Sequence, residues 1–120
     1  MTGTDPDPQT LSRLGDVSRE TRRRLDDFAV LYEKWSPRIN LTAPSTQSDF
    51  WSRHVGDSAQ LFDLAPDAKH WVDLGSGGGF PGMVIAILLQ DMPGARVELV
   101  ESNRKKTAFL GGVASIVFGV

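Results

Sequence analysis

Apolar residues along this chain recur with two periods, helical at its start and strand-like near its middle. From Ser18 to Trp35, the residues Leu25, Phe28, Ala29, Tyr32 and Trp35 follow the 3.6-residue spacing of an amphipathic helix, which Pro37 ends. A second helix is predicted to begin near Thr46, with Asp49 as an approximate capping partner, and to carry Trp51, Val55, Ser58, Leu61 and Phe62 on one face. Ala65-Pro66-Asp67-Ala68 reads as a turn, and the residues up to Leu74 suit a buried strand. An apolar helix then carries Met83 to Leu89, with Pro81 at its first position. Val97-Glu98-Leu99-Val100 forms a second short strand, followed by the helix-prone segment from Asn103 to Leu110. Strand, helix and strand in this order predict an α/β fold with a parallel sheet. The expected organisation is one domain, with a loose polar tail over residues 1–17, a helical cap over 18–66 and the sheet-bearing region over 67–120. The aromatic stripe of Phe28, Tyr32, Trp35 and Trp51 reads as core between cap and sheet, because stripes at helical spacing usually bury.

Chemistry concentrates where the first strand runs into Asp73-Leu74-Gly75-Ser76-Gly77-Gly78-Gly79-Phe80-Pro81-Gly82. Glycines permit a tight turn and let backbone approach a ligand that a β-carbon would push away. Gly77, Gly79 and Gly82 satisfy the dinucleotide fingerprint G-x-G-x-x-G, and Glu101 follows Gly82 by 19 residues, where a ribose-binding acid is expected. Asp73 argues for a different cofactor. A carboxylate at the strand end repels a pyrophosphate, whereas S-adenosylmethionine has no phosphate and carries a sulfonium and an ammonium that it attracts. The methyl donor therefore fits better, and an NAD-dependent oxidoreductase stays open as the alternative.

Four stretches carry a family likeness. Trp35-Ser36-Pro37-Arg38-Ile39-Asn40-Leu41-Thr42, Arg53-His54-Val55-Gly56-Asp57-Ser58, the turn from Asp73 with its Phe80-Pro81-Gly82 ending, and Leu99-Val100-Glu101-Ser102 through Lys105 and Phe109-Leu110 resemble the bacterial 16S ribosomal RNA (guanine-N7) methyltransferases, the glucose-inhibited division protein B or RsmG family. The resemblance spans about residues 25 to 110. It implies a Rossmann-like class I S-adenosylmethionine-dependent methyltransferase fold with an N-terminal helical cap, and an incomplete sheet in a chain of this length. It also implies a cytoplasmic, monomeric enzyme that methylates N7 of a guanine in 16S ribosomal RNA or the small ribosomal subunit. Cofactor contacts are expected from Asp73, Gly75, Ser76, Gly77, Gly79, Phe80 and Glu101, and RNA contacts from Arg53, His54, Arg104 and Lys105. Guanine N7 bears a lone pair and no proton, so the reaction asks for alignment, and no catalytic acid or base stands out.

The ending departs from that pattern. Where the family continues with a charged amphipathic helix, Gly111 to Val120 holds no charge and three glycines. This is the expectation for a truncated or frame-altered product, with a non-catalytic fragment as a further reading.

Composition narrows the picture. With 40% hydrophobic and 23% charged residues the chain has the make-up of a soluble globular protein, and the absence of cysteine excludes disulfides and thiolate metal sites. No metal is expected, since one histidine beside one aspartate supplies too few ligands. The apolar run from Met83 to Leu89 is too short to span a membrane, and Met1 to Thr10 lacks the regions of a signal peptide. Net charge is −2, spread over both halves, so RNA affinity must come from local patches such as Arg22-Arg23-Arg24 or Arg104-Lys105-Lys106. Asp26 and Asp27 sit beside the first cluster, which leaves the second as the better RNA contact. In Arg53-His54-x-x-Asp57 the spacing puts His54 and Asp57 on one helix face, where the carboxylate orients the imidazole or makes a plain surface ion pair.

Overall fold

The computed structural model describes residues 6–43, 45 and 49–120. Its elements are helix α1 (Pro8–Leu14), helix α2 (Arg19–Trp35), a π-helical turn (Phe50–Val55) continuous with helix α3 (Gly56–Leu64), strand β1 (His70–Leu74), helix α4 (Gly82–Leu88), strand β2 (Arg96–Val100) and helix α5 (Arg104–Phe118). The two strands pair in parallel, with Asp73 opposite Leu99 and Leu74 opposite Val100. The fold is thus α/β with a small, incomplete parallel sheet.

Helix α2 starts as its sequence predicts. Ser18 caps it by accepting the Thr21 N–H at 3.1 Å, Glu20 complements the dipole in the first turn, and Leu25, Phe28, Ala29 and Tyr32 are buried. Trp35, expected to close this stripe, is 37% exposed. It is the last helical residue, and Lys34 and Arg38 place their cations 5.8 and 5.7 Å from its ring centre. The segment read as a loose tail contains α1, whose Thr10 is buried and donates its hydroxyl to the Trp51 carbonyl at 3.1 Å.

The second helix departs from regularity. Thr46 lies outside the described residues; the described helix begins at Phe50 with N–H groups of both Arg53 and His54 donating to the Asp49 carbonyl, at 3.0 and 3.2 Å. This widened turn lets the consecutive residues Phe50 and Trp51 both point inward, together with Val55. Ser58 is buried as expected, but Leu61 is exposed, and Phe62 turns to stack on Trp71 with ring centres 6.4 Å apart. Phe28, Tyr32, Phe50, Phe80 and Phe109 meet in one aromatic cluster, with Phe28 in edge contact with Phe50 at 5.1 Å and stacked on Phe80 at 5.4 Å.

β1 is less buried than predicted. The two-residue period puts Trp71, against Phe62 of α3, and Asp73, against Gly82 of α4, on one face, and leaves Val72 and Leu74 on a face that is 52% and 77% exposed at those positions. On the covered face α4 comes very close. A β-carbon on Gly82 would sit 2.0 Å from Leu99 Cδ2 and 2.9 Å from Asp73 Cβ, so only glycine fits there. The Gly82 N–H donates to Asp73 Oδ2 at 3.0 Å, tying the first residue of α4 to the strand. Pro81 precedes this residue rather than opening the helix, one position earlier than predicted.

The ending also differs from expectation. Beyond the predicted segment, which ended at Leu110, α5 runs on through Gly111-Gly112 to Phe118 and stops at Gly119 in a left-handed conformation. Phe109, Leu110, Val113 and Val117 are buried against the rest of the core, and this apolar stripe outweighs about 1 kcal/mol per interior glycine.

Two expectations follow. Gly82→Ala should lower stability by about 1 to 3 kcal/mol through overpacking, read as a lowered midpoint in urea. Gly111→Ala, at a helical position where a β-carbon meets nothing within 4 Å, should raise stability by about 1 kcal/mol in the same titration.

Candidate functional site

The glycine turn sits on the carboxyl ends of both strands. Gly75 and Ser76 donate their N–H groups to the Val100 carbonyl at 2.7 and 3.1 Å, which anchors the turn over β2. Ser76 is buried and its hydroxyl donates back to the Asp73 carbonyl at 3.1 Å. Gly75, Gly77 and Gly79 have φ of 74°, 54° and 98°, a region that favours glycine. Gly79 has a second reason to be glycine, because a β-carbon there would lie 3.0 Å from both Phe28 Cζ and Met83 Cβ.

The space freed by these glycines is divided. Gly78 and Gly79 make room for the chain itself: Leu41 roofs Gly78, with its carbonyl oxygen 3.0 Å from where a β-carbon would stand. Around Gly75 nothing lies within 4 Å, and around Gly77 the nearest atom is the Leu41 carbonyl oxygen at 3.6 Å. The part of the turn that stays open to a ligand therefore runs from Gly75 to Gly77.

Glu101 clamps this open part. Its two carboxylate oxygens accept the N–H of Gly77 at 2.7 Å and of Asn103 at 2.9 Å, so one side chain ties the turn to the start of α5. Asn103 caps that helix by accepting the Lys106 N–H at 3.1 Å. The Asn103 and Gly77 N–H groups hold the Glu101 carboxyl below the usual carboxylate range. Asp73 lies beneath the turn, where burial raises its pKa and the Gly82 N–H opposes that rise. The sequence reading aimed this carboxylate at a ligand cation; its nearest partner is the backbone of α4. Neither Asp73 nor Glu101 enters an ion pair among the described residues, and at Glu101 the Lys106 ammonium adds a longer-range attraction.

Phe80 turns its ring to the cap. Its ring stacks on His54 at 4.6 Å and on Phe28 at 5.4 Å, and so joins the cap to the end of the turn. His54 thereby lies beside the site, while Arg53 is exposed. Asp57 reaches Arg13 of α1 at 3.8 Å, an exposed ion pair of the plain kind that sequence reading weighed. Of the two basic clusters, Arg22 and Arg24 are turned to Asp26 and Glu20, each at 3.2 Å. Arg104 and Lys105 are exposed in the first turn of α5. Lys105 lines a polar cavity with Arg38, Asn40, Asn103 and Lys106. Arg38, Asn40 and Leu41 were legible only as part of a motif, and periodicity gives no sign that they flank the turn.

Among the described residues no group of three or more His, Cys, Asp or Glu is placed to hold a metal ion, and no helix is long and apolar enough to cross a membrane.

Comparison with known proteins gives the family. Residues 21–117 match the family described as GidB: rRNA small subunit methyltransferase G. Proteins named ribosomal RNA small subunit methyltransferase G are 61% identical to the chain in Rhizobium rhizogenes and 60% in Brucella anthropi, each over 78% of this chain, and cover 46% and 44% of those proteins. A protein of the same name in Chelativorans sp. is 62% identical over 80% of this chain and 46% of its own length. The chain spans about half the length of the curated relatives it matches. With a parallel strand–helix–strand unit around an acid-flanked glycine turn and a family match over most of its residues, the chain belongs to the GidB family of rRNA small subunit methyltransferase G proteins.

Proposed function

We propose that this chain forms the cofactor-binding half of an enzyme that transfers a methyl group from S-adenosylmethionine to N7 of a guanine in 16S ribosomal RNA. The observation that carries the reading is the pair of carboxylates, Asp73 and Glu101, that frame an open glycine turn and accept backbone N–H groups without a close ion pair among the described residues. Negative charge there favours a cationic donor and opposes the pyrophosphate of NAD. The relatives' shared name supports RNA of the small ribosomal subunit as substrate, and such a substrate is compatible with a cytoplasmic location.

The residues present fit the donor. Glu101 keeps lone pairs beyond those used by Gly77 and Asn103, enough to accept ribose hydroxyls. The open backbone from Gly75 to Gly77 admits the ligand closely, and Asp73 supplies negative potential from below. When bound, the donor supplies an electrophilic methyl on a sulfonium. The protein's part is to align: N7 carries no proton to remove, and orientation in a dry pocket is worth up to about 7 to 11 kcal/mol. His54, stacked on Phe80 beside the turn, and Arg53 next to it are the cap residues assigned to the RNA side, together with Arg104 and Lys105 of α5. A monomer is expected.

Two experiments test the reading. Titrating the chain with S-adenosylhomocysteine and NAD in parallel by calorimetry should show binding of the first only, and Gly77→Val should abolish it while the far-ultraviolet spectrum is kept; binding of NAD alone overturns the proposal. Glu101→Gln should weaken S-adenosylhomocysteine about ten- to a hundredfold. Because the folded state depresses the Glu101 pKa, the stability its clamp contributes is complete above the ordinary carboxylate range and is lost as pH falls through the depressed value. The gap in melting temperature between the chain and Glu101→Gln should therefore close on acidification, which a pH series of thermal melts reads directly.

A further inference from the structure

Where the end of α2 faces α5, two cavities adjoin. The larger, 540 Å³, is an apolar trough walled by Leu31, Trp35, Ile39, Phe109 and Ile116. The smaller, 360 Å³, is polar and is lined by Arg38, Asn40, Asn103, Lys105 and Lys106. Ile39 and Lys105 line both, so the two lie side by side.

We infer that this double cavity is a docking track for single-stranded RNA, with a phosphate in the basic cavity and the neighbouring unstacked base in the trough against Trp35. The inference rests on the RNA methyltransferase reading and deepens it by naming an RNA contact outside the glycine turn. A single strand alternates an anionic phosphate with a flat base whose faces are apolar, and here a cationic cavity adjoins an apolar one with an indole beside it. Trp35 is the member of the α2 stripe that the core leaves out, and Lys34 and Arg38 flank its ring at 5.8 and 5.7 Å.

The charges point the same way. Arg22 and Arg24 are turned to carboxylates of their own helix, whereas Lys34, Arg38 and Lys105 take part in no ion pair among the described residues, and Lys106 is drawn only at longer range to Glu101. Glu101 lies beside the rim, but its oxygens accept the N–H groups of Gly77 and Asn103. Two asparagines in the basic cavity add donors and acceptors that phosphate and ribose use. A protein partner seated in the trough alone would have no need of this cationic neighbour, which is why RNA is favoured over a second polypeptide.

The test is fluorescence anisotropy of the 120-residue chain with a fluorescein-labelled oligoadenylate of about ten nucleotides, over a range of salt, beside calorimetry with S-adenosylhomocysteine. Trp35→Ala should weaken RNA binding about 5- to 100-fold, and Trp35→Phe should restore most of it. Arg38→Ala and Lys105→Ala should each lower the salt slope by about 0.7. All four variants should bind S-adenosylhomocysteine as the parent does. Absent RNA binding, or RNA binding that none of these changes alters, overturns the track, and normal S-adenosylhomocysteine binding in that case leaves the cofactor reading standing. A dimer in sedimentation that Trp35→Ala dissolves with RNA affinity unchanged would make the trough a contact between copies and would likewise overturn the inference. Loss of cofactor binding in the unaltered chain would instead sink the reading on which it rests.

Discussion

Helix α4 meets the sheet at Gly82 with no room for a single methyl group, and the site is arranged around that contact. With Leu99 Cδ2 2.0 Å from the place of a β-carbon, the helix axis is pressed onto both strands at once. Asp73 can then accept the Gly82 N–H from the end of β1, and the chain between these two residues must turn sharply. A turn so constrained needs left-handed backbone, and Gly75, Gly77 and Gly79 supply it. The carboxylate beneath the turn is desolvated by the same closeness, which raises its pKa.

A second layer of packing joins the cap to this turn. Phe80 is stacked between His54 and Phe28, so residues from the π-helical turn, from α2 and from the glycine turn share one aromatic cluster. Leu41 adds a roof over Gly78. Aromatic contacts of this kind have fixed geometry as well as buried area, so a shift in the cap is felt at the turn. In the proposed reaction this coupling holds the RNA side and the cofactor side at a set distance, as alignment requires.

Charge divides the same surface. Asp73 and Glu101 leave negative potential at the turn, while Arg38, Lys105 and Lys106 gather around the adjoining polar cavity. Asn103 stands at the border, capping α5 with its side chain and giving its own N–H to Glu101. A net charge of −2 conceals this separation, since the signs are sorted in space and not along the chain.

Much was legible in the residue order because it depends on local physics. The 3.6-residue stripe of α2 from Leu25 to Tyr32, the strand running to Leu74 and the acid after β2 are set by neighbours a few residues apart, and each was found where expected. Family membership was equally legible, since the motifs are contiguous. Contacts between distant segments were not. Periodicity counts Trp35 with the core, but packing leaves its ring at the helix end between two cations. The helix-prone segment legible in the residue order ends at Leu110, yet burial of Val113 and Val117 carries α5 on through Gly111-Gly112. Asp73 and Glu101 were recognisable as acids at strand ends, but which N–H each would accept was decided only once two strands and three helices had met. Local propensity thus determined the elements and the kind of site, whereas the direction of each functional side chain came from close packing between segments that sequence spacing cannot bring together.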